Sequence, residues 1–577
     1  MKSLTYALVL FAPSFPAVYA QECRCFPGDK CWPDDEEWAF FNTSVGGNLI
    51  QTVPLASACH DPQYDEAACA AVQADWTNPE LHYKSSSSIM SGLWANQSCD
   101  PFTLREAQCV IGTYVQYAVN VSDADQVSKA VKFAKEKNIR FVVRNTGHDY
   151  IGKSTGAGAI AVWMHNLKSL EVLDWDRGYY TGPAIQAGAG VQGFEAIEFA
   201  DGHDLVTVAG NCPTVGMAGG HIQGGGHSPL ASKFGLAADN ALEFEVVDGQ
   251  GNILIANRKE NRDLFWALSG GGGGTYGVVT RVTVKAHATF EVTTNTLAFA
   301  MSSVSDDIVR SALRSLHSVI PNLVDRGIYI INGFRGGYFT IQDLMAPGFT
   351  PGDVDELLEP FISYLNRTGV VYQRTVTSYP TFAEYYAKGG PSFYLNNQAN
   401  NIQGGNWLIP RDIATDPTRD VEYIDAVLSV AASGATIGTV GFNVSEAVAG
   451  DVHNAVFEGW RRALFYTLFI VPDPSDETIA EGFQRLEMID RDLVSKFRNI
   501  APDGGSYLNE ADPLNASWKK DFYGANYDKL LSIKNKYDSD HMFYGLTAVG
   551  SEYWVEKDDK RLCRATTAHC STSYTDS

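Results

Sequence analysis

Two short stretches of the chain each place a nucleophilic side chain among glycines. His148 lies in the segment 144–150 (RNTGHDY), directly after the apolar run 139–143. Cys212 lies in the segment 210–216 (GNCPTVG), which leads into a glycine-rich run at 219–226. Glycine lets the backbone approach a flat ligand closely. An imidazole and a thiol in such surroundings predict two points at which a planar cofactor is held.

A strand, a helix and a second strand are predicted to deliver His148. Residues 114–121 are typical of a strand, and Asp123 is placed to cap a helix with apolar positions at Val127, Ala130, Val131 and Ala134. The run 139–143 is then a buried strand. The turn that follows it lies at the carboxyl end of that strand, where α/β sheets bind ligands. Further strands are predicted at 160–163, 185–187, 244–247, 253–256 and 278–284.

Length and charge limit the class of protein. A chain of 577 residues is too long for one ordinary domain, so we expect two or three packed lobes. Its 45% hydrophobic content suits a large globular core. The formal net charge of −23 argues against nucleic acid as a partner, because phosphate binding needs a basic surface.

The first 20 residues are typical of a secretion signal, with cleavage expected before Gln21. Their apolar run is interrupted by Pro13 and Pro16 and is too short to cross a bilayer, so no membrane anchor is expected. Six N-x-Ser/Thr sequons agree with export and predict a secreted glycoprotein. The six asparagines are Asn42, Asn96, Asn120, Asn366, Asn443 and Asn515.

Ten cysteines in an exported chain are expected to form disulfides. Cys212 is remote in sequence from the other nine cysteines, which lie near the two ends of the chain. Nine is an odd number, so one more thiol is left unpaired if Cys212 holds a cofactor. A zinc site at Cys23, Cys25 and Cys31 is an alternative, but it lacks paired C-x-x-C spacing, and we predict no metal. The nine cysteines near the ends are Cys23, Cys25, Cys31, Cys59, Cys69, Cys99, Cys109, Cys563 and Cys570.

Together the two stretches resemble the FAD-attachment sites of berberine-bridge-enzyme-like FAD-linked oxidases, in their secreted fungal form. These belong to the vanillyl-alcohol-oxidase superfamily, which carries a PCMH-type FAD-binding domain. The resemblance continues through the segments 219–221 (GGH), 224–226 (GGG), 234–236 (FGL) and 239–240 (DN). One departure from the plant pattern is an extra residue, Met217 or Ala218, before the Gly-Gly-His.

The resemblance implies covalent FAD, bonded by His148 at the flavin 8α-methyl and by Cys212 at flavin C6. It also implies that a glycine-rich loop after His148 wraps the FAD phosphates. Val215 is implied to face the route by which dioxygen reaches the flavin, where a small side chain favours oxidase behaviour. The other implied cofactor-binding residues are Gly147, Asp149, Gly152, Thr214, Gly216, Gly220, Gly224, Gly225 and Asn526.

Two residues are implied to act in catalysis. His221 would stabilise the negative charge that develops near flavin N1. Tyr527, in the Asn-Tyr pair of a C-terminal segment similar to the family's berberine-bridge motif, would lie beside the reactive face and orient or deprotonate a substrate hydroxyl. Other family members take the base from the substrate domain, and this alternative stays open.

The expected fold is α+β, with two lobes that clasp FAD. The predicted divisions are a signal peptide at 1–20, a cysteine-rich, disulfide-tied extension at 21–113, a PCMH-type FAD-binding domain at 114–292, an α/β substrate domain at 293–505, a C-terminal berberine-bridge-like segment at 506–555 and a tail at 556–577.

The implied function is a secreted monomeric oxidase that acts on an alcohol, sugar or secondary metabolite. A substrate hydride would pass to flavin N5, and O2 would be reduced to H2O2. A dehydrogenase of the same fold with another electron acceptor and a non-catalytic binding protein are the alternatives. Two Gly-x-Gly-x-x-Gly patterns, at 188–193 and 272–277, leave an NAD enzyme as a weaker alternative, since neither is followed by the expected acidic residue.

Overall fold

The computed structural model describes residues 22–390, 403–472, 474 and 477–565. The predicted signal peptide, Cys570 and the end of the predicted tail lie outside these residues. Within them, no helix is long and apolar enough to cross a membrane.

The first lobe contains two main sheets that bury a shared apolar core. The first sheet has the strand order β1-β2-β4-β3. Its strand β4 pairs in parallel with β2 on one side and with β3 on the other, and the short strand β1 pairs antiparallel with β2 at the edge. The other is antiparallel, in the order β5-β6-β10-β8-β9, and β7 pairs with β11 separately. These strands are β1 (Leu49–Gln51), β2 (Tyr117–Asn120), β3 (Arg140–Arg144), β4 (Ala159–Trp163), β5 (Leu170–Asp176), β6 (Thr181–Gly188), β7 (Leu205–Val206), β8 (Ala241–Val247), β9 (Ile253–Asn257), β10 (Val278–Lys285) and β11 (His287–Ala288).

The second lobe is one antiparallel sheet of seven strands with helices packed on it, in the order β15-β12-β14-β13-β17-β18-β16. Its separate core extends from Leu297 to Ala501. The strands are β12 (Val292–Ala300), β13 (Tyr329–Arg335), β14 (Tyr338–Pro347), β15 (Gln373–Tyr379), β16 (Gln403–Pro410), β17 (Thr436–Gly441) and β18 (Ala463–Val471). A last pair, β19 (Trp554–Glu556) and β20 (Leu562–Arg564), closes the chain.

Helices cover the sheets and fill the connections. Those of the extension are Asp35–Ser44, Glu66–Asp75, Pro79–Tyr83 and Gly92–Ala95. Those of the first lobe are Ala124–Glu136, Gly193–Asp201, Ala231–Phe234 and Arg262–Leu268. Those of the second lobe are Asp306–Asp325, Pro351–Thr368, Phe382–Lys388, Arg411–Thr415, Arg419–Ala432, Glu446–Ala449, Gly459–Arg462, Ile479–Met488 and Ser495–Ile500, and Tyr527–Tyr537 follows in the C-terminal segment.

The predicted elements around His148 are present. The Asp123 side chain accepts from the Gln126 backbone N–H at 2.9 Å, which caps the helix Ala124–Glu136. The apolar positions Val127, Ala130, Val131 and Ala134 of that helix are all fully buried. The strand predicted at 139–143 is β3, displaced by one residue.

Four disulfides tie the extension, as its cysteine content predicted. Three are local, and the fourth joins the extension to the C-terminal strand pair. Because Cys25 and Cys31 are bonded to each other, they offer no thiolates to a zinc ion. The bonds are Cys23–Cys563, Cys25–Cys31, Cys59–Cys69 and Cys99–Cys109.

One predicted glycosylation site is incompatible with the folded structure. Asn515 is 3% exposed, and its side-chain amide donates to Asp521 at 3.0 Å. A glycan on that nitrogen would break this contact and has no path to solvent, so the Asn515 prediction is wrong. Asn366, by contrast, is exposed near the end of a helix.

A buried carboxyl group makes the stability of the second lobe depend on pH. Asp343, on β14, is 2% exposed; one carboxyl oxygen accepts from the Tyr385 hydroxyl, and the other has no partner among the described residues. Burial raises the pKa of Asp343 to about 7, although the hydrogen bond from Tyr385 acts to lower it. In the unfolded chain the same group ionises near its ordinary pKa of about 3.9. Stability is therefore lost as the pH rises from about 4 to about 7, where only the unfolded chain releases this proton.

Replacing Asp343 by Asn is expected to remove this loss. The variant Asp343→Asn should melt at a higher temperature than the wild type at pH 8, by about 2–4 °C for each kcal/mol gained. The difference should shrink toward pH 4.5 in thermal-shift measurements. Asp307→Asn, at a side chain that is 97% exposed, is the control and should show no pH-dependent difference. A difference for Asp343→Asn that is equal at both pH values would contradict the assignment.

Candidate functional site

A large cavity lies between the two lobes. Its volume is about 340 Å³, and residues from 141 to 544 line it. Ligand pockets usually measure roughly 300–1,000 Å³, so this cavity has the size of a ligand-binding site.

His148 lies in the cavity wall, on the turn that follows β3. Gly147 allows this turn because its φ is +82°, a conformation that other residues rarely adopt. The His148 Nε2 atom is 2.7 Å from the Thr214 hydroxyl. The structure thus brings the two predicted nucleophile-bearing loops into direct contact.

Cys212 faces the same threonine. Its Sγ is 3.8 Å from the Thr214 hydroxyl oxygen, and it takes part in none of the four disulfides. The loop is held from the second lobe, because Asn211 donates to the Tyr329 hydroxyl at 2.6 Å and the Tyr386 hydroxyl donates to the Gly210 carbonyl at 2.7 Å. A histidine and a thiol therefore converge on one end of the cavity.

Burial sets the protonation of both nucleophiles. Desolvation, together with the charge of His82, lowers the pKa of His148 to about 4, so its imidazole is neutral near pH 7 with a lone pair available. Desolvation also raises the pKa of the Cys212 thiol to about 11, although hydrogen bonds to Thr214 act against it. The thiol therefore has to lose its proton before it acts as a nucleophile.

The turn after His148 forms a site for an anion. The Asp149 carboxylate accepts from the backbone N–H groups of Lys153 at 2.6 Å and Ser154 at 3.1 Å, which fixes the turn. Lys153 lines the cavity, and burial lowers the pKa of its ammonium to about 8 while the charge of Asp149 acts to raise it. A buried cation next to a glycine-rich turn fits a phosphate group. Asp149 itself orders the turn.

Glycines keep the cavity wall open beneath a flat ligand. A Cβ on Gly216 would lie 2.4 Å from the Asn145 amide nitrogen, and one on Gly210 would lie 3.1 Å from the His221 ring. His221 is 8% exposed, and its Nε2 has no hydrogen-bond partner among the described residues. This unpartnered ring nitrogen fits a group that accepts or donates a hydrogen bond in the cavity.

Three side chains at one end of the cavity form a hydrogen-bonded cluster. The Tyr466 hydroxyl, on β18, donates to the Glu510 carboxylate, and His227 Nε2 lies 3.4 Å from the other Glu510 oxygen. All three residues line the cavity. Desolvation acts to raise the pKa of Glu510, but His227 and Tyr466 outweigh it and lower that pKa. Desolvation and the charge of Glu510 raise the pKa of Tyr466 well above its usual value, so the phenol is neutral and the carboxylate is ionised.

The predicted site residues divide into three groups. Those that line the cavity are Gly147, His148, Asp149, Cys212, Val215, Gly216, Gly220 and His221. Those that adjoin lining residues and support them are Gly152, Thr214, Gly224 and Gly225. Asn526 and Tyr527 lie outside the lining.

The structure does not bring Tyr527 into the cavity. Its hydroxyl donates to Glu552 at 2.5 Å, and its ring packs against Trp518 and Tyr523. The Asn526 amide donates to the carbonyls of Ala455 and Val456. The pair lies at the start of the helix Tyr527–Tyr537, where Tyr527 is buried and Asn526 is half-buried. Tyr466 and Glu510 line the cavity and replace Tyr527 as candidates for the catalytic pair.

Sequence reasoning missed several lining residues: Tyr150, Lys153, His227, Tyr466, Tyr507, Asn509 and Glu510. A signal for the last three was present, since the segment 506–511 (SYLNEA) sets polar residues within an otherwise buried stretch. The Gly-x-Gly-x-x-Gly pattern at 188–193 joins β6 to a helix, but β6 belongs to an antiparallel sheet rather than to a Rossmann unit. Gly273, Gly274 and Gly277 of the second pattern line the cavity.

Comparisons with known proteins agree with this site. The family described as "FAD binding domain" matches residues 115–257, and the family "Berberine and berberine like" matches residues 506–549. The FAD-linked oxidoreductase patO of Penicillium expansum is 42% identical over 550 residues, which cover 95% of each chain.

Two solved structures were also compared. The VAO-type flavoprotein MtVAO615 from Myceliophthora thermophila C1 superposes with a TM-score of 0.90 at 38% identity, over 94% of this chain and all of that one. The glucooligosaccharide oxidase from Acremonium strictum, whose FAD is described as 6-S-cysteinyl and 8α-N1-histidyl, has a TM-score of 0.60 at 20% identity, over 76% of this chain and 92% of that one.

The chain belongs to the berberine-bridge-enzyme-like, VAO-type FAD-linked oxidoreductases. The predicted α+β PCMH-type fold and the prediction of an FAD-dependent oxidoreductase are therefore confirmed.

Proposed function

We propose that this protein is an oxidase with FAD attached at both His148 and Cys212, and that it oxidises a hydroxyl group of a small, mostly apolar compound. The observation that carries the proposal is the convergence of both nucleophiles on the Thr214 hydroxyl. A covalently linked flavin in the Acremonium strictum oxidase, with the same two residue types, supports it. O2 is the proposed electron acceptor.

The described residues fit the ring system and the pyrophosphate of FAD. His148 and Cys212 are placed for the ring system, and Lys153 and the turn at 149–154 would hold the pyrophosphate. His221 would face the pyrimidine edge, where its unpartnered Nε2 meets a hydrogen-bonding group. When bound, FAD supplies the hydride acceptor.

The protein supplies the route for the proton. A neutral Tyr466 hydroxyl accepts the proton of the substrate hydroxyl as it donates its own to the Glu510 carboxylate. Glu510 is the final acceptor because it is the group of this pair that is ionised. His227 holds Glu510 from the other side. The proton leaves the substrate oxygen while the hydride leaves the adjacent carbon.

The wall opposite the FAD loops indicates the class of substrate. It is formed by the second-lobe sheet and the helix Ile479–Met488. Its apolar residues are Ile331, Val440, Leu468, Ile470 and Leu486, and its polar residues are Arg335, Gln342, Gln403 and Thr436. The apolar side chains favour a carbon skeleton, and the few polar ones offer hydrogen bonds to its substituents. Small molecules and O2 are the proposed partners of a monomeric protein, and the disulfides support the proposal that it is secreted.

The double attachment is tested by mapping flavin on peptides. The wild type should yield flavin peptides that contain His148 and Cys212 after denaturation and proteolysis. Cys212→Ala should keep FAD through His148 but oxidise substrates more slowly, since a flavin with one link is less oxidising. Release of all flavin on denaturing the wild type would falsify covalent attachment. Peroxide formed in step with oxidation of apolar alcohols supports an oxidase; turnover with quinones alone favours the dehydrogenase.

The proton route is tested with two matched tyrosine–carboxylate pairs. Tyr466→Phe and Glu510→Gln should each lower kcat by about 10²–10⁴-fold, the usual contribution of a general base. Tyr527→Phe and Glu552→Gln alter the same kind of pair outside the cavity and should leave kcat nearly unchanged. A large loss in the Tyr527 variant together with none in the Tyr466 variant would reverse the assignment.

A further inference from the structure

The N-terminal extension reaches the cofactor site through residues 82–94, here called the clamp segment. It lies between the disulfides Cys59–Cys69 and Cys99–Cys109, outside the FAD-binding family match that begins at residue 115. Its central residues, 87–91, are all buried. The segment is braced internally, since His82 Nδ1 lies 2.9 Å from the Ser88 hydroxyl.

The clamp segment is hydrogen-bonded to the backbone on both sides of His148. The Met90 N–H donates to the Gly147 carbonyl at 3.1 Å. The Trp94 indole N–H donates to the Tyr150 carbonyl at 2.8 Å. The first bond holds the peptide group before His148, and the second holds the carbonyl of Tyr150, two residues after it.

A buried arginine ties the clamp segment to the end of β3. Arg144 is 0% exposed, and its guanidinium donates to the carbonyls of His82, at 2.9 Å, Ser85 and Ser88. Its acceptors are neutral carbonyls, which do not repay the cost of burying a charge as a carboxylate would. The buried guanidinium instead holds those three carbonyls in a fixed position beside the turn that carries His148.

The two glycines of the turn are shaped to receive the clamp segment. A Cβ on Gly147 would lie 3.4 Å from the Ser88 carbonyl oxygen, and one on Gly152 would lie 2.8 Å from the Trp94 ring. Both glycines have positive φ values, +82° and +75°. The turn therefore packs directly on the clamp segment: a side chain at Gly152 would clash with Trp94, and one at Gly147 would be strained by its positive φ.

We infer that the clamp segment is part of the cofactor site and positions His148 for attachment to FAD. Trp94 and Arg144 act here as positioning residues: they contact the turn that carries the histidine, while Cys212 is held separately by Tyr329 and Tyr386 of the second lobe. The inference rests on the proposed covalent attachment. Loosening the clamp segment should therefore affect the link to His148 and spare the link to Cys212.

The experiment compares the flavin content of the two peptides in full-length variants. Trp94→Ala should lower the yield of flavin on the His148 peptide about fivefold or more, the equivalent of one lost hydrogen bond, with the Cys212 peptide still labelled. Trp94→Phe keeps an aromatic ring at this position but removes the N–H and part of the indole, so it should fold and show a smaller loss than Trp94→Ala at the same peptide. Phe102→Ala, at an exposed position of the same extension, is the control and should match the wild type.

The outcomes separate the two proposals. A wild type without flavin on His148 refutes the covalent attachment itself. If the His148 peptide carries flavin to the same extent in the wild type and in the Trp94 variants, the positioning role of the clamp segment is refuted and the covalent attachment stands. A parallel loss of both links and of melting temperature shows that Trp94 serves stability only, and this also overturns the inference. If Trp94→Ala does not fold, Trp94→Phe decides between these outcomes.

Discussion

The contact between His148 Nε2 and the Thr214 hydroxyl joins the two loops on which the rest of the site depends. One loop follows β3, which pairs in parallel with β4, and the other precedes the glycine-rich run that lines the cavity. Neither loop has regular structure to hold it. Each is therefore secured from outside: the first by the disulfide-tied extension, the second by tyrosines of the second lobe. The site exists only where three parts of the chain meet.

Burial keeps several histidines and tyrosines of the cavity neutral. It lowers the pKa of His148 and His221 and raises that of Tyr150, Tyr466 and Tyr507. Glu510 differs, because His227 and Tyr466 both lower its pKa against the effect of burial. An anion among these neutral donors gives this end of the cavity a place for a proton to go, whereas Asp149 and Lys153 lie at the turn after His148. The same burial keeps the His148 imidazole neutral and nucleophilic, and it keeps the Cys212 thiol protonated until a base removes the proton.

The loops of the proposed attachment site were predictable from the sequence, and the residues of the proposed proton route were not. His148 and Cys212 sit in local patterns whose glycines serve the ligand directly, so short segments carry the information. The strand and helix before His148 were likewise predictable, because apolar periodicity and the Asp123 cap act within a few residues. Tyr466 and Glu510 come from a buried strand and from a loop more than forty positions later, and only the tertiary fold pairs them. Tyr527 shows the converse: its motif was recognised, but its helix turns the phenol toward Glu552.

The second lobe both lines the cavity and holds the loop that carries Cys212. Its sheet face forms the proposed substrate wall, and two of its tyrosines hold the Cys212 loop: Tyr329 accepts from the Asn211 side-chain amide, and Tyr386 donates to the Gly210 carbonyl. Because Tyr329 lies on β13, which also carries the wall residue Ile331, a shift of that strand would move the substrate wall and the Cys212 loop together. Hydride transfer tolerates little error in the distance between donor carbon and acceptor. The strand that lines the pocket thus also helps to fix the Cys212 loop relative to that wall.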